Sequence, residues 1–169
     1  YGNMKTAIVS GATGNLGKAV IQKFITEGFR VMGTILPGEP VRSDLPADQF
    51  EAVELDLLNE EQSDMLIRDM VQKYERIDAA ILTVGGFATG KIEETNAAAI
   101  RKQYQLNFET AYHLARPVFM QMLRQGYGKI FFVGAKPGIQ SSFSKGMVAY
   151  GLAKSLIFRL AELMNEEAK

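Results

Sequence analysis

Two groups of residues have the types and spacing to do chemistry. Tyr150 and Lys154 stand four apart in Tyr150-Gly151-Leu152-Ala153-Lys154, which puts both on one face of a helix. A phenol titrates near 10, so proton transfer by a tyrosine near pH 7 needs a shift of about 3 units, or ~4 kcal/mol in favour of the anion. An ammonium one helical turn away acts in that direction. Alone, the pair is a weak signal, and a solvated surface tyrosine and lysine is its commoner meaning.

The second group is Ser10-Gly11-Ala12-Thr13-Gly14-Asn15-Leu16-Gly17, which follows a Val/Ile run and precedes a segment of helical period. A pyrophosphate can rest there on free N–H groups and the positive end of a helix dipole. Glycine serves the sharp turn, the close approach of phosphate and the packing of helix on strand. The spacing is GxxGxxG in place of the usual GxGxxG. A glycine-rich turn without a ligand is the alternative. Asp56 in Leu55-Asp56-Leu57 closes a strand; its carboxylate either accepts from an adenine amino group or serves a turn or helix cap. The acid expected at the end of the second strand to grip the ribose hydroxyls of NAD is absent, since Ile35 or Leu36 stands there. The nearest arginine, Arg42, lies farther along the loop, so NAD and NADP both remain open.

These groups need a scaffold, and the pattern supplies one. Strands are expected at Lys5–Ser10, Arg30–Ile35, Ala52–Leu55, Ile77–Val84 and Lys129–Val133. Helices are expected between them. The first spans Asn15–Glu27, with Leu16, Val20, Ile21 and Phe24 inward and Gly28 closing it. The second spans Asn59–Tyr74, with Leu66, Met70 and Val71 inward. A long helix starts at Asn96 as N-cap and reaches about Arg124, kinked at Pro117, and the last spans Met147–Glu167. Alternating strands and helices give an α/β fold, a doubly wound (Rossmann-type) parallel sheet with helices on both faces. One domain over 4–169 is expected, with Tyr1-Gly2-Asn3 ahead of Met4 as an added tail.

Composition narrows the function. Net charge is zero, which argues against nucleic acid and anionic membranes as partners. No apolar run approaches the ~20 residues of a membrane span and no signal-peptide pattern opens the chain, so the expected location is cytoplasmic. The absence of cysteine excludes disulfides and thiolate chemistry. His113, the sole histidine, has no acidic partner at metal spacing and reads as a packing or surface residue, so no metal is expected. Met120, Met122 and Met164 fit core or subunit contacts, and Glu60-Glu61 and Glu166-Glu167 fit solvated ends.

With these residues in place the chain resembles the short-chain dehydrogenase/reductase family along nearly its whole length. The glycine turn, Asp56, a strand ending in Gly85-Gly86, Asn107 and the Tyr150/Lys154 pair follow the family's order and approximate spacing. The resemblance implies NAD or NADP as cofactor, with Gly11, Thr13, Gly14, Asn15, Leu16, Gly17, Asp56, Gly85, Gly86 and Lys154 in its site. It implies Tyr150 as acid/base, Lys154 on the nicotinamide ribose, and Asn107 holding a water in the proton relay. It also implies a small-molecule substrate and a homodimer or homotetramer. Two departures stand out. Alanine, in Val133-Gly134-Ala135-Lys136, occupies the place of the family's catalytic serine, with Ser141, Ser142 and Ser144 as possible replacements. The family's sixth strand, covering loop and seventh strand have no counterpart up to Lys169, so the sequence is expected to be a fragment.

Within the family, dihydropteridine reductases share Gly85-Gly86-Phe87-Ala88, Gly134-Ala135-Lys136 and Gly146-Met147 ahead of Tyr150 with this chain. That local likeness implies hydride transfer to a carbonyl or to a conjugated, quinonoid pterin-like ring. A 3-oxoacyl or other ketone reductase, and a dinucleotide sensor without catalysis, are the alternatives.

Overall fold

The computed structural model describes residues 4–169, so the reading of the first three residues as a tail lies outside the described residues. Five strands form one sheet in the order β3-β2-β1-β4-β5, with β1 Thr6–Ser10, β2 Arg30–Ile35, β3 Phe50–Glu54, β4 Ala79–Leu82 and β5 Lys129–Phe132. The pairs β1·β2, β1·β4 and β2·β3 are parallel, with Ile8 opposite Met32 and Ala80. The helices are α1 Asn15–Thr26, α2 Glu60–Tyr74, α3 Ala97–Tyr104, α4 Thr110–Gln125, the short α5 Lys136–Ile139 and α6 Val148–Glu167. This is the doubly wound α/β architecture expected from the alternation.

The chain forms two compact units: residues up to Thr83 with His113–Phe131, and Val84–Tyr112 with Phe132–Lys169. The first holds the sheet core. Every residue of β1, β2 and β4 is buried, as continuous Val/Ile/Ala runs require when both faces of a parallel sheet are covered. Ile8, Val9, Ile21 and Val31 are fully buried, each contributing ~1.5–3 kcal/mol of apolar transfer. On α1 the row facing the sheet is Gly17, Ile21 and Ile25, with Val20 and Phe24 packed half-buried beside it. Leu16, expected inward, is 48% exposed because it lies one residue off that i, i+4 row. Leu66 and Met70 of α2 are buried as expected and Val71 is half-buried.

Element ends differ from the sequence pattern where the backbone ladder sets them. The third strand begins two residues early because Phe50 and Glu51 pair with Val31 and Met32. The fourth is shorter than the apolar run Ile77–Val84, ending at Leu82, and the fifth ends at Phe132. Asn96 caps α3 by accepting from the Ala99 N–H at 2.9 Å. The long helix departs from α geometry at a π turn over Gln105–Glu109, while α4 continues through Pro117. His113 holds the Leu57 carbonyl through Nδ1 at 2.7 Å, which makes it a packing anchor. Met122 is buried and Met120 is 47% exposed. Among the described residues, no helix is long and apolar enough to cross a membrane, and no three His, Cys, Asp or Glu side chains are grouped to hold a metal ion.

Candidate active site

Strand order reverses around β1, which lies between β2 and β4, and the glycine turn leaves its carboxyl end. In open parallel sheets this is where ligands bind. The ends of β1 and β4 are fastened there: the Thr83 N–H donates to Ser10 Oγ at 3.0 Å and the Thr83 hydroxyl donates to the Ser10 carbonyl. Gly11 turns at φ +70°, and the Ala12 N–H donates back to the Thr34 carbonyl at 2.9 Å. Gly14 is the N-cap of α1 and offers no side chain to its first turn, which carries no acidic residue. The first in-helix bond is from the Lys18 N–H to the Gly14 carbonyl, so the N–H groups of Asn15, Leu16 and Gly17 are left for a ligand. A Cβ on Gly17 would stand 2.0 Å from the Gly11 carbonyl oxygen, so only glycine allows helix and turn to approach this closely. The turn therefore fits a dinucleotide pyrophosphate by its free donors, its dipole and its empty first turn.

Sequence reasoning missed one residue here. Glu39 folds back from the loop after β2, accepting from the Thr13 hydroxyl through one oxygen and from the Leu36 N–H at 2.7 Å through the other. The Thr13 hydrogen bond, then the Leu36 one, holds its carboxyl below the usual range. An acid thus stands four residues beyond the strand end, after a turn at Gly38 with φ +88°. An acid inside the Pro37-Gly38-Glu39-Pro40 turn was the available signal. Arg42 is committed elsewhere: it forms a two-pronged pair with Asp44 at 3.1 and 2.7 Å and donates to the Lys18 carbonyl. Asp56 accepts from the Leu58 N–H at 3.0 Å, the turn role left open by the sequence.

The second unit holds the other candidates. Lys154 is 6% exposed and its Nζ donates to the Val133 carbonyl at 3.0 Å, with its ammonium 6.0 Å from the centre of the Tyr150 ring. Burial pushes the Lys154 ammonium below the ordinary lysine range. Tyr150 is half-buried, its ring edge-on to Phe87 with centroids 5.2 Å apart, and its hydroxyl has no partner among the described residues.

Asn107 sits in the π turn and is 1% exposed. Its Oδ1 accepts from the Gly86 N–H at 3.1 Å, and its Nδ2 donates to the Gly86 carbonyl and to both Gln103 oxygens. A Cβ on Gly85 would lie 2.8 Å from Asn107 Oδ1 and 3.3 Å from Lys154 Nζ, so Gly85 is what lets these side chains converge. Ala135, at the serine position, is the N-cap residue of the short helix α5. Of the three loop serines, Ser141 and Ser142 are exposed, while the Ser144 hydroxyl donates to the Pro137 carbonyl.

Known proteins share the sequence pattern and the fold. The family model described as short chain dehydrogenase matches residues 5–169. The chain is 24% identical over 170 residues to acetoacetyl-CoA reductase of Acinetobacter sp., covering 96% of this chain and 68% of the relative. It is 28% identical over 162 residues to the 3-oxoacyl-(acyl-carrier-protein) reductase FabG of Buchnera aphidicola, covering 90% and 63%. A short-chain dehydrogenase from Streptomyces avermitilis superposes with a TM-score of 0.86 at 26% identity, over 98% of this chain and 61% of that one. The chain thus spans between 61% and 68% of the lengths of these three proteins.

Proposed function

The chain belongs to the short-chain dehydrogenase/reductase family, and from that premise we propose that it works as an NAD(P)H-dependent reductase with Tyr150 as its acid. One observation carries the reading: an almost fully buried lysine ammonium with a single carbonyl partner stands one turn from a tyrosine whose hydroxyl is unengaged. Burying an ammonium costs several kcal/mol, so a charge kept there with so little pairing points to chemistry over stability.

When bound, the nicotinamide supplies hydride. Asn15, Leu16 and Gly17 hold the pyrophosphate through the N–H groups left free at the start of α1. Tyr150 gives its proton to the substrate oxygen or nitrogen that gains the electrons. Lys154 favours the resulting phenolate, and its two remaining N–H donors are available to the ribose. Asn107 acts as a positioning residue, since its amide is engaged by Gly86 and Gln103. Glu39 makes NAD the preferred dinucleotide: its carboxylate on Thr13 offers acceptors to ribose hydroxyls and repels a 2′-phosphate, while Arg42 is paired with Asp44.

The substrate is a carbonyl compound or a quinonoid pterin-like ring. Alanine at position 135 and the engaged Ser144 hydroxyl favour the conjugated ring, which needs no hydroxyl to polarise it. A 3-oxoacyl or ketone reductase is the second reading, favoured by the names of the two curated relatives.

Tyr150→Phe tests the assignment. NADH affinity should stay within about twofold, while turnover of a quinonoid dihydropterin or an acetoacetyl thioester should fall ~10²–10⁴-fold. Turnover retained within a few-fold removes Tyr150 from the mechanism.

A further inference from the structure

The Gly86 N–H can only donate and its carbonyl only accept, so the Asn107 amide has one allowed orientation, Oδ1 to the former and Nδ2 to the latter. Nδ2 also donates to Gln103 Oε1 at 2.9 Å, which fixes the Gln103 amide in turn. Gln103 must then direct its Nε2 hydrogens away from Asn107. The residue is 4% exposed as a whole, Nε2 meets no acceptor among the described residues, and that atom is not enclosed, so it keeps accessible surface. An accessible amide donor on an otherwise buried residue is open to a water or to a ligand that carries an acceptor.

Gln103 lines a cavity of about 320 Å³ within the second unit, at the small end of the range for ligand pockets. Phe87, Ala99 and Ala149 form apolar wall. Phe87 is the ring that meets Tyr150 edge-on, and Ala149 precedes Tyr150 in the chain. Lys102 and Glu94, both exposed, bring one charge of each sign to the cavity, which carries no net charge.

We propose that this cavity receives an uncharged carbonyl oxygen of the substrate, hydrogen-bonded by Gln103 Nε2. Resting on the reading of Tyr150 as the acid, this makes the preferred substrate an uncharged compound with a second oxygen function, an ester, thioester or lactam, beside the group that is reduced. Gln103 is then a specificity-determining residue.

The test is a titration of the protein with δ-valerolactam, an uncharged acceptor, and with valerate, its charged counterpart, followed at the Gln103 side-chain amide by NMR. The lactam should move that amide proton saturably and bind more tightly than valerate. Gln103→Glu keeps an oxygen for Asn107 but replaces the donors, and should weaken lactam binding at least tenfold with NADH affinity within twofold. Ala99→Leu fills the cavity without altering the Gln103–Asn107 contact and should give the same loss, so the proposal stays falsifiable if Gln103→Glu fails to fold. No saturable shift, unchanged lactam affinity in a folded variant, or valerate binding as tightly as the lactam overturns the proposal. NADH binding is read separately: its absence from the unaltered protein counts against the dinucleotide reading, and lactam failure with normal NADH binding counts against this pocket alone.

Discussion

Lys154→Met takes a charge out of a place where the fold gains little from holding it. Lys154 is 6% exposed and its ammonium is partnered by the Val133 carbonyl at 3.0 Å. A hydrogen bond from a charged donor contributes ~1.5–3 kcal/mol. Desolvating the ammonium costs several kcal/mol even after relaxation, and methionine fills similar space with an apolar chain. The net expectation is a gain of about 1–3 kcal/mol at pH 7, roughly 3–10 °C in Tm for a chain of this size.

The pH dependence has a definite sign. Burial lowers the Lys154 pKa, so the folded state binds this proton less tightly than the unfolded one. Stability of the unaltered protein should therefore rise with pH, from the depressed value up to the ordinary lysine value near ~10.4, by at most ~1.4 kcal/mol per unit. Lys154→Met lacks that rise, so its advantage should be largest near neutrality and shrink by about pH 9.5. Urea unfolding of both proteins at the two pH values measures it, with reductase turnover lost in the variant throughout. A variant less stable than the parent by more than ~1 kcal/mol at pH 7, or a gap that ignores pH, would refute the view of Lys154 as a group held for chemistry.

Two further outcomes bear on the dinucleotide turn. Gly17→Ala places a Cβ 2.0 Å from the Gly11 carbonyl oxygen, so the turn must move; the expected cost is ~1–3 kcal/mol in urea unfolding, with at least a tenfold loss of NADH affinity by fluorescence titration. Glu39→Gln removes the carboxylate from Thr13 and should improve NADPH affinity about tenfold while weakening NADH, measured in the same titration.

The fold was legible because alternation of β-branched runs with amphipathic segments leaves a parallel sheet few alternatives, and Arg30–Ile35 matches the observed strand residue for residue. Strand ends were less legible. Phe50 and Glu51 join β3 through backbone bonds to β2, which side-chain hydropathy does not report, and the apolar run at Ile77–Val84 outlasts β4. Of the candidate site, the glycine turn and the Tyr150/Lys154 pair could be picked out in sequence because their spacing is local. Glu39 was hidden because a turn at Gly38 brings it back to Thr13, a contact across 26 positions. Gln103 reads in sequence as one more polar residue on a helix. Its place four before Asn107, one turn along the same face, was the available clue.

The most direct test of the central claim is thermal unfolding of the protein with NADH and with NADPH, each at about 100 times a plausible Kd. Saturating binding should add ~2.7 kcal/mol, a rise in midpoint of roughly 5–10 °C, with NADH and a smaller rise with NADPH. No shift with either would mean that the glycine turn is a structural turn, and the reductase reading would fall with it.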